Sequence, residues 1–193
     1  MIEIERIPAS KIKIPLPDVF QLTPYSCGAS ALQSILLYYD KGPIEEKAIR
    51  KIMNMTHTGT DPYMVRKVIK KFGLNSIEYR GMTTAQLKKS IDARRPVMIM
   101  LQAWGKHPKK YSSDSKDGHW LVAIGYDKEN FYFEDPSLDG TIGSIKISEL
   151  DARWHDIESY NAKSRDIHFT DHYGIAIWGD KIAEKTVKTR KTL

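Results

Sequence analysis

Residues 21–32 read QLTPYSCGASAL and contain Cys27, which is the only cysteine of the 193-residue chain. From Cys27 onward, apolar residues recur at three- and four-residue spacing through Ala31, Ile35 and Tyr38, which predicts an α-helix of about three turns. A proline-containing loop precedes this helix. We therefore expect Cys27 in the first helical turn, where free backbone N–H groups and the helix dipole favour an anion.

The rest of the chain separates into a helical part and a strand-rich part. Helices are predicted at 43–53, 62–72 and 84–94, the last one after a capping box at Thr83. A helical turn is predicted at 148–154. Strands are predicted at 76–80, 96–101, 119–126, 131–135, 141–147 and 173–178, and short edge strands within 2–14. Because helices lead and antiparallel strands follow, the predicted fold class is α+β.

Domain organisation follows from length and charge. We find no repeat or linker, and predict one domain at 1–180 followed by a basic tail at 181–193. The net charge is +6, but the tail alone carries five basic and one acidic side chains. Such a tail is typical of a solvated chain end, so nucleic-acid binding is not predicted.

Composition also limits location and chemistry. The chain has no apolar run long enough for a membrane span and no secretory signal, so we expect no membrane partner and a cytoplasmic location. A single cysteine excludes an intrachain disulfide and a multi-cysteine zinc site. Several histidines and aspartates between 155 and 172 match no specific metal-ligand spacing, and residues 153–156 are predicted to form a surface turn anchored by Trp154. We predict neither a metal nor a cofactor.

Cys27 has two interpretations, as a small buried apolar side chain or as a nucleophile. A thiol attacks only as its thiolate, and it needs a base. Among six histidines, His119 is distinctive because it opens an apolar strand directly after Gly118. If the following hairpin turns at Asp127, His119 faces Asp135 on one side of the sheet, while Glu134 points to the other. Asp135 would then orient the imidazole.

An oxyanion site would complete this constellation. The backbone N–H of Cys27 is one candidate donor, and the side-chain amide of Gln21 is the other, because it donates without carrying a charge. Gln21 could equally cap loop carbonyls. The polar segment 105–117 lacks periodicity and is predicted to be a mobile loop that borders the site.

These motifs together resemble those of a known family. The segments are Gln21 with Tyr25-Ser26-Cys27-Gly28-Ala29, then Gly118-His119-Trp120, then Asp135-Pro136. They are similar to the papain-like cysteine peptidases of the bacteriocin-processing, double-glycine type, above all to stand-alone relatives without a transporter. The likeness runs from about residue 18 to 160. It implies Cys27 as nucleophile, His119 as base and acid, Asp135 as orienter, Gln21 in the oxyanion hole, and a papain-like fold with a helical half packed on a sheet half.

The sequence therefore predicts a thiol hydrolase, with a cysteine peptidase acting on a peptide or protein as the preferred hypothesis. One alternative is a transpeptidase or amidase that uses the same thiol chemistry. Another is a binding module that keeps the cleft without turnover. The substrate and the oligomeric state are left open.

Overall fold

The computed structural model describes residues 11–42, 45–104, 108–159, 167–180 and 182–183. The predicted strands at the start of the chain and the basic tail therefore lie largely outside the described residues. The helices are α1 (Cys27–Tyr38), α2 (Glu46–Met53), α3 (Pro62–Lys71), α4 (Thr84–Asp92) and α5 (Ile147–Arg153). The strands are β1 (Asn75–Tyr79), β2 (Val97–Gln102), β3 (Gly118–Tyr126), β4 (Asn130–Glu134), β5 (Ile142–Lys146), β6 (His155–Ser159), β7 (Ile167–Asp171) and β8 (Gly174–Trp178).

The strands form an antiparallel six-stranded sheet in the order β1-β8-β2-β3-β4-β5, and β6 pairs with β7 in a separate ribbon. Central strand β2 is buried along its whole length, as its continuous apolar run VMIML predicts. Helix α1 packs against β3, so the start of α1 and the start of β3 lie in the same core. The α+β prediction, with helices first and sheet second, is confirmed.

Two local predictions depend on short-range chemistry and are confirmed. The capping box at α4 is present, because the Thr83 hydroxyl accepts from the Gln86 backbone N–H and the Gln86 side chain accepts from the Thr83 N–H. Helix α1 begins at Cys27 and is buried over most of its length. A Cβ on Gly28 would lie 2.6 Å from the Cβ of Thr60, so only glycine allows this close packing.

The predicted register of the β3–β4 hairpin is wrong. Val122 pairs with Glu134, whereas a turn centred on Asp127 would pair it with Tyr132. The Asp127 carboxylate accepts from the N–H groups of Glu129 and Asn130, which closes a tight turn around Lys128-Glu129. A bulge after Ala123 adds to the shift. The partner of Val122 is therefore two residues further along β4 than predicted. Because side chains alternate between the two faces of a strand, a shift by an even number leaves Asp135 on its predicted face.

Two other predictions are corrected, and one element was not predicted. Residues 153–156 were predicted as a surface turn anchored by Trp154; Trp154 is fully buried, but His155 and Asp156 begin strand β6. The β6–β7 ribbon was not predicted, because its sequences HDIES and IHFTD are polar and lack a clear alternation. The loop predicted at 105–117 contains a 3₁₀ helix, Pro108–Ser113, and buries Tyr111.

Candidate active site

Cys27 is the first residue of α1 and is 8% exposed. The preceding loop is tied to the helix start by Ser26, whose hydroxyl accepts from the Thr23 N–H and donates to the Thr23 carbonyl. The N–H groups of Cys27 and Gly28 belong to the first turn, where the helix supplies no backbone acceptor. The thiol therefore lies where the helix end favours negative charge.

His119 lies near the start of β3, is 4% exposed, and contacts Asp135 directly. The distance from His119 Nε2 to Asp135 Oδ1 is 2.7 Å. The same carboxylate oxygen accepts from the Ser137 N–H at 2.9 Å and from the Ser137 hydroxyl at 2.7 Å. This Asx turn holds Asp135 in one orientation just beyond the end of β4. Glu134, one residue earlier, accepts instead from the Val19 N–H.

The electrostatics of this pair favour a charged imidazole. Burial acts to lower the pKa of His119, but its hydrogen bonds with Asp135 and with the Cys27 side chain outweigh burial and raise the pKa to about 9. Burial likewise acts to raise the pKa of Asp135, but the hydrogen bond and charge of His119, with the Ser137 donors, lower it. Since Nε2 bonds the carboxylate, Nδ1 is the ring nitrogen left for the thiol.

Gln21 lies in the loop before Cys27 and is tied to the loop that carries the aspartate. Its backbone N–H donates to the Pro136 carbonyl at 2.8 Å, next to Asp135. Its side-chain Nε2 donates to the Thr23 carbonyl at 2.9 Å, so one of the two amide protons is used. Among the described residues, the buried Gln21 Oε1 has no hydrogen-bond partner.

Two buried glutamates that the sequence analysis did not single out hold this loop from opposite sides. The Val19 N–H donates to Glu134 of the sheet at 3.1 Å, and the Leu22 N–H donates to Glu46 of α2 at 2.9 Å. Glu46 also accepts from the Ser30 hydroxyl at 2.5 Å, one turn beyond the cysteine. Glu46 therefore connects the loop to α1.

A tryptophan and a second carboxyl group near His119 were also missed. The Trp104 ring lies against the imidazole, with 5.2 Å between ring centroids. On Gly118, a Cβ would collide with the carboxyl group of Asp156, whose pKa burial raises to about 6. An exposed tryptophan after a buried strand was the one signal that could have identified Trp104.

Two of the histidines between 155 and 172 have other partners in the described part of the chain. His155 Nε2 contacts the Asp114 carbonyl, and His172 lies between Asp151 and Asp171. Across the described part of the chain, no group of three or more histidine, cysteine or acidic side chains could hold a metal ion. Among these same residues, no helix is both long and apolar enough to cross a membrane.

A helix that begins at a cysteine and packs on an antiparallel sheet carrying a hydrogen-bonded histidine–aspartate pair is the arrangement of papain-like thiol hydrolases. Residues 13–162 match the model of the Peptidase_C39 like family, which is three quarters of the chain, and the protein belongs to that family. It is accordingly a cysteine peptidase-like hydrolase. No curated protein sequence gave a significant match to the chain.

Three solved structures share the fold at low sequence identity. A C39-like peptidase from Bacillus anthracis has a TM-score of 0.66 and 16% identity, with 88% of this chain and 98% of the other covered. The peptidase domain of Streptococcus ComA, a bifunctional ABC transporter involved in a quorum-sensing pathway, has a TM-score of 0.59 and 16% identity. The match covers 84% of this chain and 97% of the other. A double glycine motif protease from an AMS/PCAT transporter, solved in complex with the leader peptide, has a TM-score of 0.58 and 17% identity. The match covers 89% of this chain and 98% of the other.

Proposed function

We propose that this protein hydrolyses a peptide bond through an acyl-enzyme on Cys27. The observation that carries the proposal is the buried His119–Asp135 hydrogen bond of 2.7 Å, together with the raised pKa of His119 beside the Cys27 side chain. A protonated imidazole next to a thiol supports a thiolate–imidazolium pair. The double glycine motif protease of the same fold was solved with a leader peptide, which supports a peptide as the substrate.

The first half of the reaction forms the acyl-enzyme. The Cys27 sulfur attacks the scissile carbonyl carbon, and the oxyanion is stabilised by the Cys27 N–H and the second amide proton of Gln21. The C–N bond then breaks, and His119 gives its Nδ1 proton to the leaving amine. Asp135 keeps the imidazole in the orientation and tautomer that this transfer needs.

The second half releases the acyl group. The now neutral His119 takes a proton from a water molecule, whose oxygen attacks the thioester carbonyl. The C–S bond breaks, the carboxylic acid leaves, and the thiolate–imidazolium pair is restored. Each step therefore uses a residue that lies at the start of α1, at the start of β3 or in the adjacent loops.

Alkylation of the native protein tests the nucleophile. With iodoacetamide at pH 6, we expect Cys27 to react at least about tenfold faster than free cysteine, because the imidazolium stabilises the thiolate. His119→Ala should remove this advantage. The matched control is His155→Ala, which removes a histidine that contacts the Asp114 carbonyl instead. A rate no higher than that of free cysteine would contradict the proposal.

Turnover is tested with a peptide library and mass spectrometry. We expect the wild-type protein to cleave a defined subset of peptides and Cys27→Ser to cleave none of them, with a loss of at least about 10⁴-fold. Thermal unfolding of the variant checks that its fold is intact. Cleavage that persists in Cys27→Ser would assign the activity to something other than this thiol.

A further inference from the structure

Trp104 is a large apolar side chain that remains half exposed beside the histidine of the site. Its side chain is 48% exposed, and its ring lies 5.2 Å from the His119 ring between centroids, at an interplanar angle of 44°. One part of the indole therefore packs on the imidazole, and another part faces solvent. The indole can therefore contact a ligand with its apolar face while it packs on the imidazole.

The backbone that carries Trp104 is held in place. Arg153 donates from Nη1 to the carbonyls of Gln102 and Ala103, at 3.1 and 2.9 Å. The Ala103 N–H donates to the Asp117 carbonyl at 3.0 Å, which closes the base of the loop. The Arg153 guanidinium also lies 3.6 Å from the ring centre of the buried Tyr111 and donates to its hydroxyl.

Arg153 itself is oriented by Glu149 of α5, which accepts from its Nε at 2.6 Å. The guanidinium therefore uses its donors on a carboxylate, on two main-chain carbonyls and on a tyrosine hydroxyl. These bonds hold the main chain directly before Trp104.

The proposed reaction indicates which part of a substrate meets this indole. His119 protonates the leaving amine, so the leaving nitrogen must come within about 3 Å of Nδ1. The residue that carries this nitrogen then lies against the imidazole, and its side chain begins only two bonds from the nitrogen. The acyl part of the substrate stays on the Cys27 sulfur instead. Only the leaving part is placed next to Trp104.

We infer that Trp104 forms the wall of the subsite for the first residue of the leaving peptide and selects an apolar or aromatic side chain there. This inference rests on the proposed function. The same subsite binds an amine that attacks the acyl-enzyme in the reverse sense. In that step the amine nitrogen bonds to the thioester carbon, the C–S bond breaks, and His119 accepts the proton of the amine.

Amine capture of the acyl-enzyme therefore measures this subsite without knowledge of the natural substrate. N-Acetylglycylglycine p-nitrophenyl ester acylates the thiol and releases p-nitrophenol, and added glycinamide or phenylalaninamide then competes with water. The ratio of the two amide products reports selectivity. Burial of a benzyl group against the indole should make phenylalaninamide about tenfold more effective than glycinamide for the wild-type protein.

The variants separate the indole from other apolar surface. Trp104→Ala should lower the preference to below about threefold, and Trp104→Phe should keep most of it, because a phenyl ring still offers an apolar face. Phe169→Ala is the matched control, since Phe169 is 74% exposed on β7 and should leave the ratio unchanged. An unchanged ratio in Trp104→Ala, or no preference in the wild type, would overturn the inference.

Failure of the subsite and failure of the proposed function give different results. If p-nitrophenol appears in a burst that Cys27→Ser abolishes, the thiol chemistry is present, and the amide ratio alone decides the role of Trp104. If the wild-type protein releases p-nitrophenol no faster than Cys27→Ser and also cleaves no peptide of the library, the proposed function is overturned, together with the subsite that depends on it.

Discussion

The two halves of the site are held in different ways. On the sheet half, the functional groups bond each other, since His119 contacts Asp135 and Ser137 donates twice to the same carboxylate oxygen. On the helix half, Gln21 directs its amide to the Thr23 carbonyl, and the loop is held by buried Glu46 through the Leu22 N–H. On the sheet half, His119 and Asp135 are aligned by their contact with each other. On the helix half, the loop is held in place by Glu46, which is not a proposed catalytic residue.

In the proposed reaction, the two halves of the site act at different stages. The attraction between a charged His119 and Asp135 is present in the folded state before any substrate binds. An oxyanion donor has its partner only in the transition state, and until then its N–H must bond something else. For Gln21 the nearest acceptor is Thr23. We expect mutations on the sheet half to change both kcat and its pH dependence, and those on the helix half to lower kcat without a shift in pH dependence.

Among the residues that distinguish the two halves, the largest expected effect is at Asp135. Asp135→Ala should lower kcat by about 10³-fold, because the imidazole loses both its orientation and its counter-charge. Asp135→Asn keeps an oxygen that can accept from the ring and should lose less. If Ala and Asn have equal activity, orientation is not the role of Asp135.

The same substitution changes the pH dependence of stability. Because the pKa of folded His119 is about 9, above its ordinary value of 6.5, the stabilisation from its charge is complete below pH 6.5 and is lost as pH rises to 9. That contribution is about 3 kcal/mol. Asp135→Asn should lower the pKa of His119 and reduce this loss, which urea unfolding between pH 6 and 9.5 measures. Identical pH dependence in the two proteins would contradict a charge role for Asp135.

The next effect is at Gln21. Gln21→Ala should lower kcat by about 10²-fold with little change in KM, because one oxyanion donor is removed from the transition state. The pH of half-maximal alkylation of Cys27 should stay unchanged, since Gln21 carries no charge. A shift of that pH would show that Gln21 acts on the thiolate–imidazolium pair, and the contrast between the two halves would then fail.

A smaller effect is expected at Glu46, which we regard as a positioning residue. Glu46→Ala leaves the Leu22 N–H and the Ser30 hydroxyl without their acceptor, and should lower kcat about tenfold and the free energy of unfolding by about 2 kcal/mol. Glu46→Gln keeps an acceptor oxygen and should restore most of kcat at unchanged KM. Equal kcat values in the two variants would exclude positioning through these hydrogen bonds.

The smallest effect is expected at Ser137. Ser137→Ala removes one of three donors to Asp135 Oδ1, while the Ser137 N–H and His119 remain. The expected loss of kcat is about threefold, and the pKa of Asp135 should rise slightly, because a donor that stabilises the carboxylate is missing. Steady-state kinetics measure the first change, and an NMR titration of the Asp135 carboxyl group measures the second. A loss as large as that of Asp135→Ala would mean that the aspartate is held by Ser137 alone.

The short-range features of this fold could be predicted because neighbouring residues determine them. The start of α1 at Cys27 and the capping box at Thr83 depend on side chains within three or four positions. The choice of Asp135 over Glu134 depended on strand alternation, which held even though the register was wrong. The β6–β7 ribbon could not be predicted, because its polar strands are defined by pairing with each other.

Burial of Trp154 shows the same limit. The sequence predicts that Trp154 anchors a turn, but not what it contacts: its indole N–H donates to the Tyr173 carbonyl at 2.9 Å and its carbonyl accepts from the His172 N–H at 2.7 Å. These partners are 18 and 19 positions away in the chain. No periodicity within a short window contains that information.

By itself, the sequence determined the kind of chemistry: one thiol at a helix start, a histidine that opens an apolar strand, a nearby aspartate and an amide upstream. Side-chain type and local period are enough for that, because nucleophile, base and oxyanion donor require particular functional groups. The tertiary structure alone decided what surrounds them, namely Glu46 and Glu134 beneath the loop and Trp104 on the imidazole. These contacts join residues from distant segments, and they exist only because burial of the core brings those segments together.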